Sequence, residues 1–363
     1  MSNYEILNDI SPASLAGFDT IIDVRSAAEF AEDHIPGAIN LPVLNDDERA
    51  LIGTIYTQES AFLAKRRGAS LVAANIARHI ETELANKPAD FRILVNCWRG
   101  GMRSRAMALV LSSVGWPVSL LNGGYQTWRR AVVAGLSKTS DTHPPLPLIL
   151  IDGQTGTAKT AILEQMRQMG AQVIDLEALA NHRGSVFGSH PNSPQPGQKR
   201  FETGLWDQLR RMDLDRPIFL EAESSMIGQR RIPARLWASM KDAPRVMIEA
   251  PVSARAKYLA EAYPELVSDT DRLKDAIRKL SERHSKAVIS DWLELASSKQ
   301  HKQLAEALIK HHYDPTYNRS RTRRSTPSTR SVTALDLSIS SIKRLAGEIL
   351  EKSEALRDAV SAG

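Results

Sequence analysis

Short apolar runs alternate with amphipathic stretches along the chain. Each run is rich in Val, Ile and Leu, as is typical of a buried strand, and the stretches between them repeat apolar residues at helical spacing. This alternation predicts parallel α/β sheets. The predicted strands are 20–24, 92–95, 118–121, 148–151, 172–174, 217–220 and 245–248, and the predicted helices include 104–114, 159–169 and 271–290.

A proline-rich stretch divides the chain into two α/β domains. Residues 138–147 contain Pro144, Pro145 and Pro147 and lack any periodicity, as expected of a linker. We therefore predict one α/β domain over residues 1–137 and a second over residues 148–252. A helical C-terminal region is predicted over residues 253–363.

The composition is that of an ordinary globular protein. Hydrophobic residues make up 42% of the 363 positions and charged residues 25%, which excludes a wholly disordered or fibrous chain. No apolar run approaches the ~18 residues that a membrane-spanning helix needs, and the N-terminus lacks the basic and apolar stretches of a signal peptide. We therefore expect a cytoplasmic monomer that does not contact a membrane.

The single cysteine of the chain lies where a predicted strand meets a predicted helix. Cys97 can form no internal disulfide, so any role it has is that of a thiol. The glycines that follow let backbone N–H groups converge on an anion, and the helix N-terminus favours a negatively charged sulfur. We predict an anion-binding loop around a reactive Cys97, formed with Arg99, Gly100, Gly101 and Arg103. The alternative is a buried, inert cysteine.

A second anion-binding loop lies between the strand at 148–151 and the helix at 159–169. This context is the one that a phosphate-binding P-loop requires. Lys159 supplies a positive charge and the Thr160 hydroxyl suits Mg²⁺, whereas Ala158 stands where the P-loop consensus has glycine. Its methyl group narrows the approach of a ligand, which leaves open whether a nucleotide or only a diphosphate binds. The predicted diphosphate-binding residues are Gly153, Thr155, Gly156, Thr157, Lys159 and Thr160.

Two carboxylates follow the strand predicted at 217–220. Glu221 and Glu223 stand where a carboxylate can orient a metal ion or a water molecule, and a solvated strand end is the alternative. The nine histidines show no metal-ligand spacing. We therefore predict no structural metal site, and Mg²⁺ is considered only at the P-loop.

An arginine-rich segment, residues 318–330, is the clearest candidate for nucleic-acid binding. It contains no acidic residue, and its arginines can neutralise phosphates without reading bases. A solvated linker is the alternative. The predicted nucleic-acid-binding residues are Arg319, Arg321, Arg323 and Arg324.

Three segments of the first domain resemble the rhodanese family. They are residues 21–25 (IIDVR), 34–42 (HIPGAINLP) and 121–125 (LNGGY). In rhodanese-like domains the loop cysteine carries sulfur or selenium, so the resemblance implies that Cys97 is a persulfide or perselenide carrier. We expect Asp23 and Arg25 to form an ion pair that stabilises the fold and is not catalytic.

The spacing within the Cys97 loop leaves a second enzyme class open. Arg103 follows Cys97 by six positions, a spacing shared with cysteine-dependent phosphatases, whose arginine clamps a phosphate. Asn96 stands where such phosphatases usually have histidine, which weakens this alternative. A loop suited to a phosphate-sized anion also fits selenophosphate.

The order of the two domains resembles the tRNA 2-selenouridine synthase family. Beyond the Cys97 loop, the segments that carry the resemblance are 179–185, 195–198, 221–224 and 313–315, and it extends from about residue 23 to residue 317. It implies that 2-thiouridine at the wobble position of certain tRNAs is converted to 2-selenouridine through an S-geranyl intermediate. The implied substrates are tRNA, geranyl diphosphate and selenophosphate, with no tightly bound cofactor.

The resemblance gives the two loops separate tasks. Cys97 would carry selenium, whereas Lys159 and Thr160, with or without Mg²⁺, would stabilise the diphosphate as it leaves geranyl diphosphate. Two other enzymes remain as alternatives: a rhodanese-type sulfurtransferase coupled to an ATP-binding, kinase-like domain, and the cysteine-dependent phosphatase. A non-enzymatic tRNA- or protein-binding module is the third.

Overall fold

The structure is a computed structural model that describes residues 4–137, 144–183, 188, 193–262, 264–321 and 329–361. The chain divides into two compact units. Unit 1 comprises Met1–Ser137 with Pro196–Arg211, and unit 2 comprises Lys138–Gln195 with Met212–Gly363. Each unit contains a parallel sheet with helices, which confirms the predicted fold class. Within the described ranges, no helix is long and apolar enough to cross a membrane.

The first 137 residues contribute five strands and six helices to unit 1. In chain order these are β1 (Glu5–Leu7), α1 (Pro12–Leu15), β2 (Thr20–Asp23), α2 (Ala27–Glu32), β3 (Ala38–Asn40), α3 (Asp46–Gln58), α4 (Ala61–Glu81), β4 (Ile93–Asn96), α5 (Met102–Val114), β5 (Val118–Leu121) and α6 (Gly124–Leu136).

The five strands form one parallel sheet in the order β1-β5-β4-β2-β3. Ile22 on β2 is paired with Val95 on β4, and both side chains are fully buried in the core. The carboxyl ends of parallel strands meet at one edge of a sheet, which is where ligands bind in open α/β folds. The segments after β2, β4 and β5 therefore share this edge, and Cys97 follows β4 directly.

The described part of residues 144–361 contains the remaining elements. In chain order these are β6 (Leu148–Gly153), α7 (Lys159–Gln168), β7 (Gln172–Ile174), α8 (Leu176–Ala180), α9 (Gln198–Leu209), β8 (Ile218–Glu221), β9 (Met226–Ile227), β10 (Arg230–Arg231), α10 (Ala234–Asp242), β11 (Arg245–Glu249), α11 (Val252–Ala262), α12 (Pro264–Ser268), α13 (Thr270–Arg278), α14 (Lys286–Ser297), α15 (His301–Leu308), a π-helical turn (Ile309–Tyr313), α16 (Asp314–Arg321), β12 (Thr329–Thr333) and α17 (Ile339–Ser361).

The sheet of unit 2 is also parallel, in the order β12-β11-β6-β8-β7. Its outer strand β12 pairs with β11, with Val332 opposite Ile248. The C-terminal region is therefore not only helical, because it returns to the sheet through β12. Leu345 and Ile349 of α17 then pack in the same core as Ile162 of α7.

Two elements differ from the sequence-based prediction. The single helix predicted over 271–290 is two helices, α13 and α14, because Ser285 caps a new helix by accepting a hydrogen bond from the Val288 N–H. Helix α9 lies within the predicted second domain, yet it packs in unit 1. There the Trp206 ring contacts the buried Trp128 ring edge-on, with 4.8 Å between centroids.

Candidate active site

Cys97 lies in the tight loop that connects β4 to α5. Its side chain is only 3% exposed. The Sγ atom accepts hydrogen bonds from the Gly101 N–H at 3.2 Å and from the Ser104 hydroxyl at 3.0 Å. Both donors belong to the start of α5, so two hydrogen bonds from the N-terminus of this helix converge on Sγ.

The N-terminus of α6 closes the Cys97 loop from the opposite side. The Tyr125 N–H donates to the Cys97 carbonyl at 2.8 Å and the Gln126 N–H to the Trp98 carbonyl at 3.1 Å. Gly124 is required by this approach, because a Cβ there would lie 2.2 Å from the Cys97 carbonyl oxygen. The glycines of residues 121–125 thus allow backbone-to-backbone contact with the loop.

The two arginines of the Cys97 loop have different surroundings. Arg99 is exposed. Arg103 is partly buried and pairs with Glu29 of α2, with 2.8 Å between Nη1 and Oε2. Burial acts to raise the pKa of the Glu29 carboxyl, but the Arg103 hydrogen bond and charge outweigh it, and the pKa is lowered. Arg103 therefore has a carboxylate partner, Glu29, within unit 1.

The expected pair of Asp23 and Arg25 is confirmed. Both side chains are buried, and Arg25 Nη2 lies 2.7 Å from Asp23 Oδ2. The guanidinium also lies 4.0 Å from the centroid of the Tyr125 ring. These contacts join the carboxyl end of β2 to the start of α6, which is a structural role.

The predicted P-loop joins β6 to α7 in unit 2. Lys159 Nζ donates to the Gly153 carbonyl at 2.8 Å, and the buried Thr157 hydroxyl donates to the Gln154 carbonyl at 2.9 Å. The exposed Thr160 hydroxyl donates to Glu177 Oε2 at 3.3 Å. The loop surrounds the N-terminus of α7, which is the position where phosphates bind.

An ion pair between a buried arginine of α11 and an aspartate of α16 contacts the backbone of the P-loop. Arg255 of α11 is 1% exposed, and its two terminal nitrogens bind the Asp314 carboxylate at 2.9 and 2.6 Å. Arg255 Nη1 also donates to the Thr155 carbonyl at 3.2 Å. Gly156 has φ +88°, and a Cβ there would lie 3.1 Å from Arg255 Cβ. Nothing local in the sequence joins Arg255 to Asp314, so sequence reasoning missed this contact.

Three carboxyl groups, those of Glu177, Glu221 and Glu223, lie near the P-loop. Burial, followed by the charge of Glu223, raises the pKa of Glu177 to about 7. Glu221 is fully buried at the end of β8, and burial together with Asp175 and Glu177 raises its pKa well above the ordinary value. A neutral Glu221 is a poorer metal ligand than a carboxylate. Glu223 is half-buried and lines the cavity described next.

A cavity of about 710 Å³ lies beside the P-loop within unit 2. Its lining joins the P-loop to two further cations, Arg183 and Arg283. The lining also includes an apolar set of side chains, of which Tyr258, Leu259, Ala262 and Tyr313 are members. A pocket of this size and mixed character fits a small ligand that combines an anionic and a hydrocarbon part. No local sequence pattern marks Tyr258, Leu259, Ala262 or Arg283 as cavity residues.

The predicted tRNA-binding arginines are only partly described. Arg319 lies on α16 and donates from Nε to the Pro315 carbonyl at 3.1 Å, and Arg321 ends the same helix. Arg323 and Arg324 lie outside the described residues. Within the described part of the chain, no group of three or more His, Cys, Asp or Glu side chains is arranged to hold a metal ion.

Comparison with known proteins assigns both units to characterised families. A model described as the tRNA 2-selenouridine synthase AAA domain matches residues 146–287, and a model of the rhodanese-like domain matches residues 5–131. The chain is 29% identical to the tRNA 2-selenouridine synthase of Nitrosomonas europaea over 369 residues, which cover 89% of this chain and 94% of the relative.

Two further tRNA 2-selenouridine synthases show the same similarity. The protein of Bdellovibrio bacteriovorus is 30% identical over 345 residues, covering 84% of this chain and 89% of the relative. That of Cronobacter sakazakii is 38% identical over 254 residues, covering 67% of this chain and 64% of the relative.

Proposed function

This chain belongs to the tRNA 2-selenouridine synthase family, and we propose that it replaces sulfur by selenium in 2-thiouridine at the wobble position of tRNA, through an S-geranyl intermediate. Membership of this family supports the function of a tRNA-modifying enzyme that forms 2-selenouridine. The proposed donors, geranyl diphosphate and selenophosphate, are assigned to the P-loop and to the Cys97 loop respectively.

In the proposed first step, the sulfur of 2-thiouridine attacks C1 of geranyl diphosphate. The C1–O bond breaks, diphosphate leaves with the electron pair, and the N3 proton of the base passes to solvent. Lys159 and the N-terminus of α7 stabilise the charge of the departing diphosphate. The single observation that supports this step is the cavity beside the P-loop, which joins cations to apolar side chains.

The proposed Mg²⁺ would bind at the end of the cavity that the P-loop forms. The Thr160 hydroxyl and the Glu177 carboxylate are close together and are oxygen donors of the kind that Mg²⁺ takes alongside substrate phosphates. The bound ion would neutralise part of the diphosphate charge. The orientation of the diphosphate by Lys159 and by the backbone of residues 153–160 does not depend on it.

In the proposed second step, selenium replaces the geranylated sulfur. The C2–Se bond forms as the C2–S bond breaks, geranyl thiol leaves, and water takes the phosphoryl group of selenophosphate to give phosphate. This exchange is redox-neutral. Cys97 is proposed to position the selenide-level selenium in its loop without forming an S–Se bond, because the perselenide that the rhodanese resemblance implies would require a two-electron oxidant that selenophosphate does not supply. The Gly101 and Ser104 donors that now bind Sγ support this role because they stabilise an anionic chalcogen.

Mass spectrometry of nucleosides from thiolated tRNA tests both steps. We expect Cys97→Ala to abolish 2-selenouridine while S-geranyl-2-thiouridine still forms, and Lys159→Ala to slow geranylation about a hundred-fold. Lys302→Ala, an exposed lysine on α15, is the matched control and should change neither product. Formation of 2-selenouridine by the Cys97 variant would exclude Cys97 as the selenium carrier.

Two further assays separate the other enzyme classes. ATP turnover without tRNA would favour a sulfurtransferase with a kinase-like domain. Release of phosphate from a phosphomonoester would favour a phosphatase. The engagement of Arg103 by Glu29 weakens the phosphatase alternative, because that arginine would first have to leave its carboxylate partner to clamp a phosphate.

A further inference from the structure

Helices α3 and α4 form an antiparallel hairpin that projects from the sheet edge where Cys97 lies. The hairpin is anchored there by Asn75 of α4, whose side chain donates to the Val43 carbonyl just after β3 and to Glu48 of α3. Ile76 packs in the core, whereas no residue of α3 is buried. At about 1.5 Å per residue, Phe62 lies about 20 Å along α4 from Asn75. The tip of the hairpin, residues 56–67, is therefore far from the core.

The tip of the hairpin, residues 56–67, is basic. It contains three arginine and lysine residues and one acidic residue, Glu59, whereas residues 46–81 as a whole contain five basic and five acidic residues. Three of the cations, Lys65, Arg66 and Arg67, are consecutive and exposed near the tip. Within the described ranges, none of these three has an ion-pair partner. Such a cluster attracts a polyanion because no acidic side chain among the described residues neutralises its positive charge.

Two aromatic side chains flank the turn of the hairpin. Tyr56 is 59% exposed and Phe62 is 70% exposed. Phe62 precedes Lys65 and Arg66 by three and four positions on α4, so these three side chains share one helix face. Exposed aromatic rings beside cations are the combination on which unstacked RNA bases and their phosphates bind.

We propose that the tip of the α3–α4 hairpin binds an unstacked, single-stranded loop of the substrate tRNA. Tyr56 and Phe62 stack on bases, and Lys65, Arg66 and Arg67 neutralise the adjacent phosphates. The inference rests on the proposed function, since it takes the RNA to be the substrate. It adds a binding surface on unit 1, the unit that contains Cys97.

Binding of labelled tRNA to the full chain, measured over a range of salt concentrations, tests the hairpin. We expect Tyr56→Ala with Phe62→Ala to weaken binding about tenfold or more, because each stacked base contributes strongly to affinity. Phe62→Tyr keeps a ring and should retain the affinity. Lys65→Gln with Arg66→Gln should lower the slope of log affinity against log salt by about 1.4, since each phosphate contact on a single strand contributes about 0.7.

The control is Lys286→Gln with Lys302→Gln, which removes two exposed lysines from α14 and α15 of unit 2. This control should change the slope of log affinity against log salt less than Lys65→Gln with Arg66→Gln does. Circular dichroism confirms that each variant is folded. If the unsubstituted chain binds tRNA and the hairpin variants bind equally well, the hairpin is not the RNA surface, although the proposed function stands.

Two other outcomes are separable. If the unsubstituted chain fails to bind tRNA at all, the proposed function is the part that fails. If the hairpin substitutions change the sedimentation of the free chain and leave tRNA affinity unchanged, the tip contacts a second copy of the protein, and the RNA assignment is overturned.

Discussion

Ala158 has φ 60° and ψ 28°, a left-handed conformation that glycine adopts without strain. The cost for an alanine is about 1–2 kcal/mol. Its side chain is 5% exposed and packs in the core that contains Ile162. The methyl group therefore contributes buried apolar surface, which offsets part of the backbone strain. The alanine at position 158, where the P-loop consensus has glycine, therefore affects the loop through the strain in its backbone conformation.

Substitution of Ala158 tests this balance. For Ala158→Gly we expect the free energy of unfolding to change by less than about 1 kcal/mol, because relief of strain compensates for the loss of one buried methyl of about 0.8 kcal/mol. Ala158→Val should destabilise by about 2 kcal/mol or more, because a β-branched residue is strongly disfavoured at positive φ. Urea unfolding measures both. A large loss of stability in the glycine variant would contradict the interpretation.

Glu221 has one oxygen, Oε1, without a hydrogen-bond partner among the described residues, although the side chain is fully buried. Burial, then the charges of Asp175 and Glu177, raise its pKa well above the ordinary value. Above the ordinary glutamate pKa of about 4.3, the unfolded chain has released this proton and the folded chain still holds it. The folded state thus binds more protons, and its stability decreases as the pH rises from that point.

Glu221→Gln should reduce this pH dependence. Glutamine mimics the protonated carboxyl, so we expect the variant to match the unsubstituted protein near pH 4.5 and to be the more stable of the two as the pH rises to 8. The comparison is made by urea unfolding at several pH values. Glu164→Gln on the exposed face of α7 is the control and should not alter the pH dependence. Parallel curves for the Glu221 variant and the unsubstituted protein would contradict a raised pKa.

At the scale of elements, the P-loop is held by helices from distant parts of the chain. Arg255 comes from α11 and Asp314 from the first residue of α16, and together they fix the Thr155 carbonyl. An isolated buried arginine is costly, so the pair must form together. The shape of the phosphate-binding loop therefore depends on the C-terminal helices.

Asp314→Asn should weaken both unit 2 and its ligand binding. Removing the negative partner of a buried arginine costs about 3 kcal/mol or more, and part of that cost falls on the conformation of the P-loop, which we propose binds diphosphate. We expect lower affinity for pyrophosphate in isothermal titration and a lower urea midpoint. Asp275→Asn removes the partner of Arg278 in a pair with both side chains more than half exposed, and it should change neither quantity. Unchanged pyrophosphate affinity in the Asp314 variant would show that the pair does not position the loop.

Local apolar patterns predicted most of the strands but not all of them. β4, β5 and β8 are buried over their whole length, and each follows an apolar run in the sequence. The outer strands β1 and β3 are three residues long and mostly not buried, so they lack such a run. Burial on both faces leaves a continuous apolar run in the sequence, whereas pairing at an exposed edge does not.

At the scale of the whole molecule, α9 returns to unit 1 from within the chain of unit 2. The buried Asp33 carboxylate accepts hydrogen bonds from the Thr203 hydroxyl of α9 and from the Tyr125 hydroxyl of α6, each at 2.7 Å. Burial, then the hydrogen bond to Asp33, raise the pKa of the Tyr125 hydroxyl, which therefore stays a donor. The same α6 closes the Cys97 loop, so α9 supports the site through Asp33 and Tyr125.

Thr203→Val removes one of these donors with little change in volume. We expect the free energy of unfolding of unit 1 to fall by about 1–3 kcal/mol, because a buried carboxylate loses a hydrogen bond. Thr203→Ser keeps the hydroxyl and should recover most of the stability. Hydrogen exchange in α9 and α6, followed by mass spectrometry, locates the effect. Equal stability of the valine and serine variants would show that α9 is held by its apolar contacts alone.

The sequence by itself determined the two parallel sheets, the positions of the two strand-to-helix loops and the family, because each depends on residues that are close in the chain. An apolar run, a pair of glycines after a strand, and a lysine at a helix start are local signals. Only the tertiary structure decided which distant side chains meet. Thr203 with Asp33 and Arg255 with Asp314 are such pairs. With 47 basic and 42 acidic residues, many pairings are chemically equivalent, and packing of the whole chain selects which of them are buried.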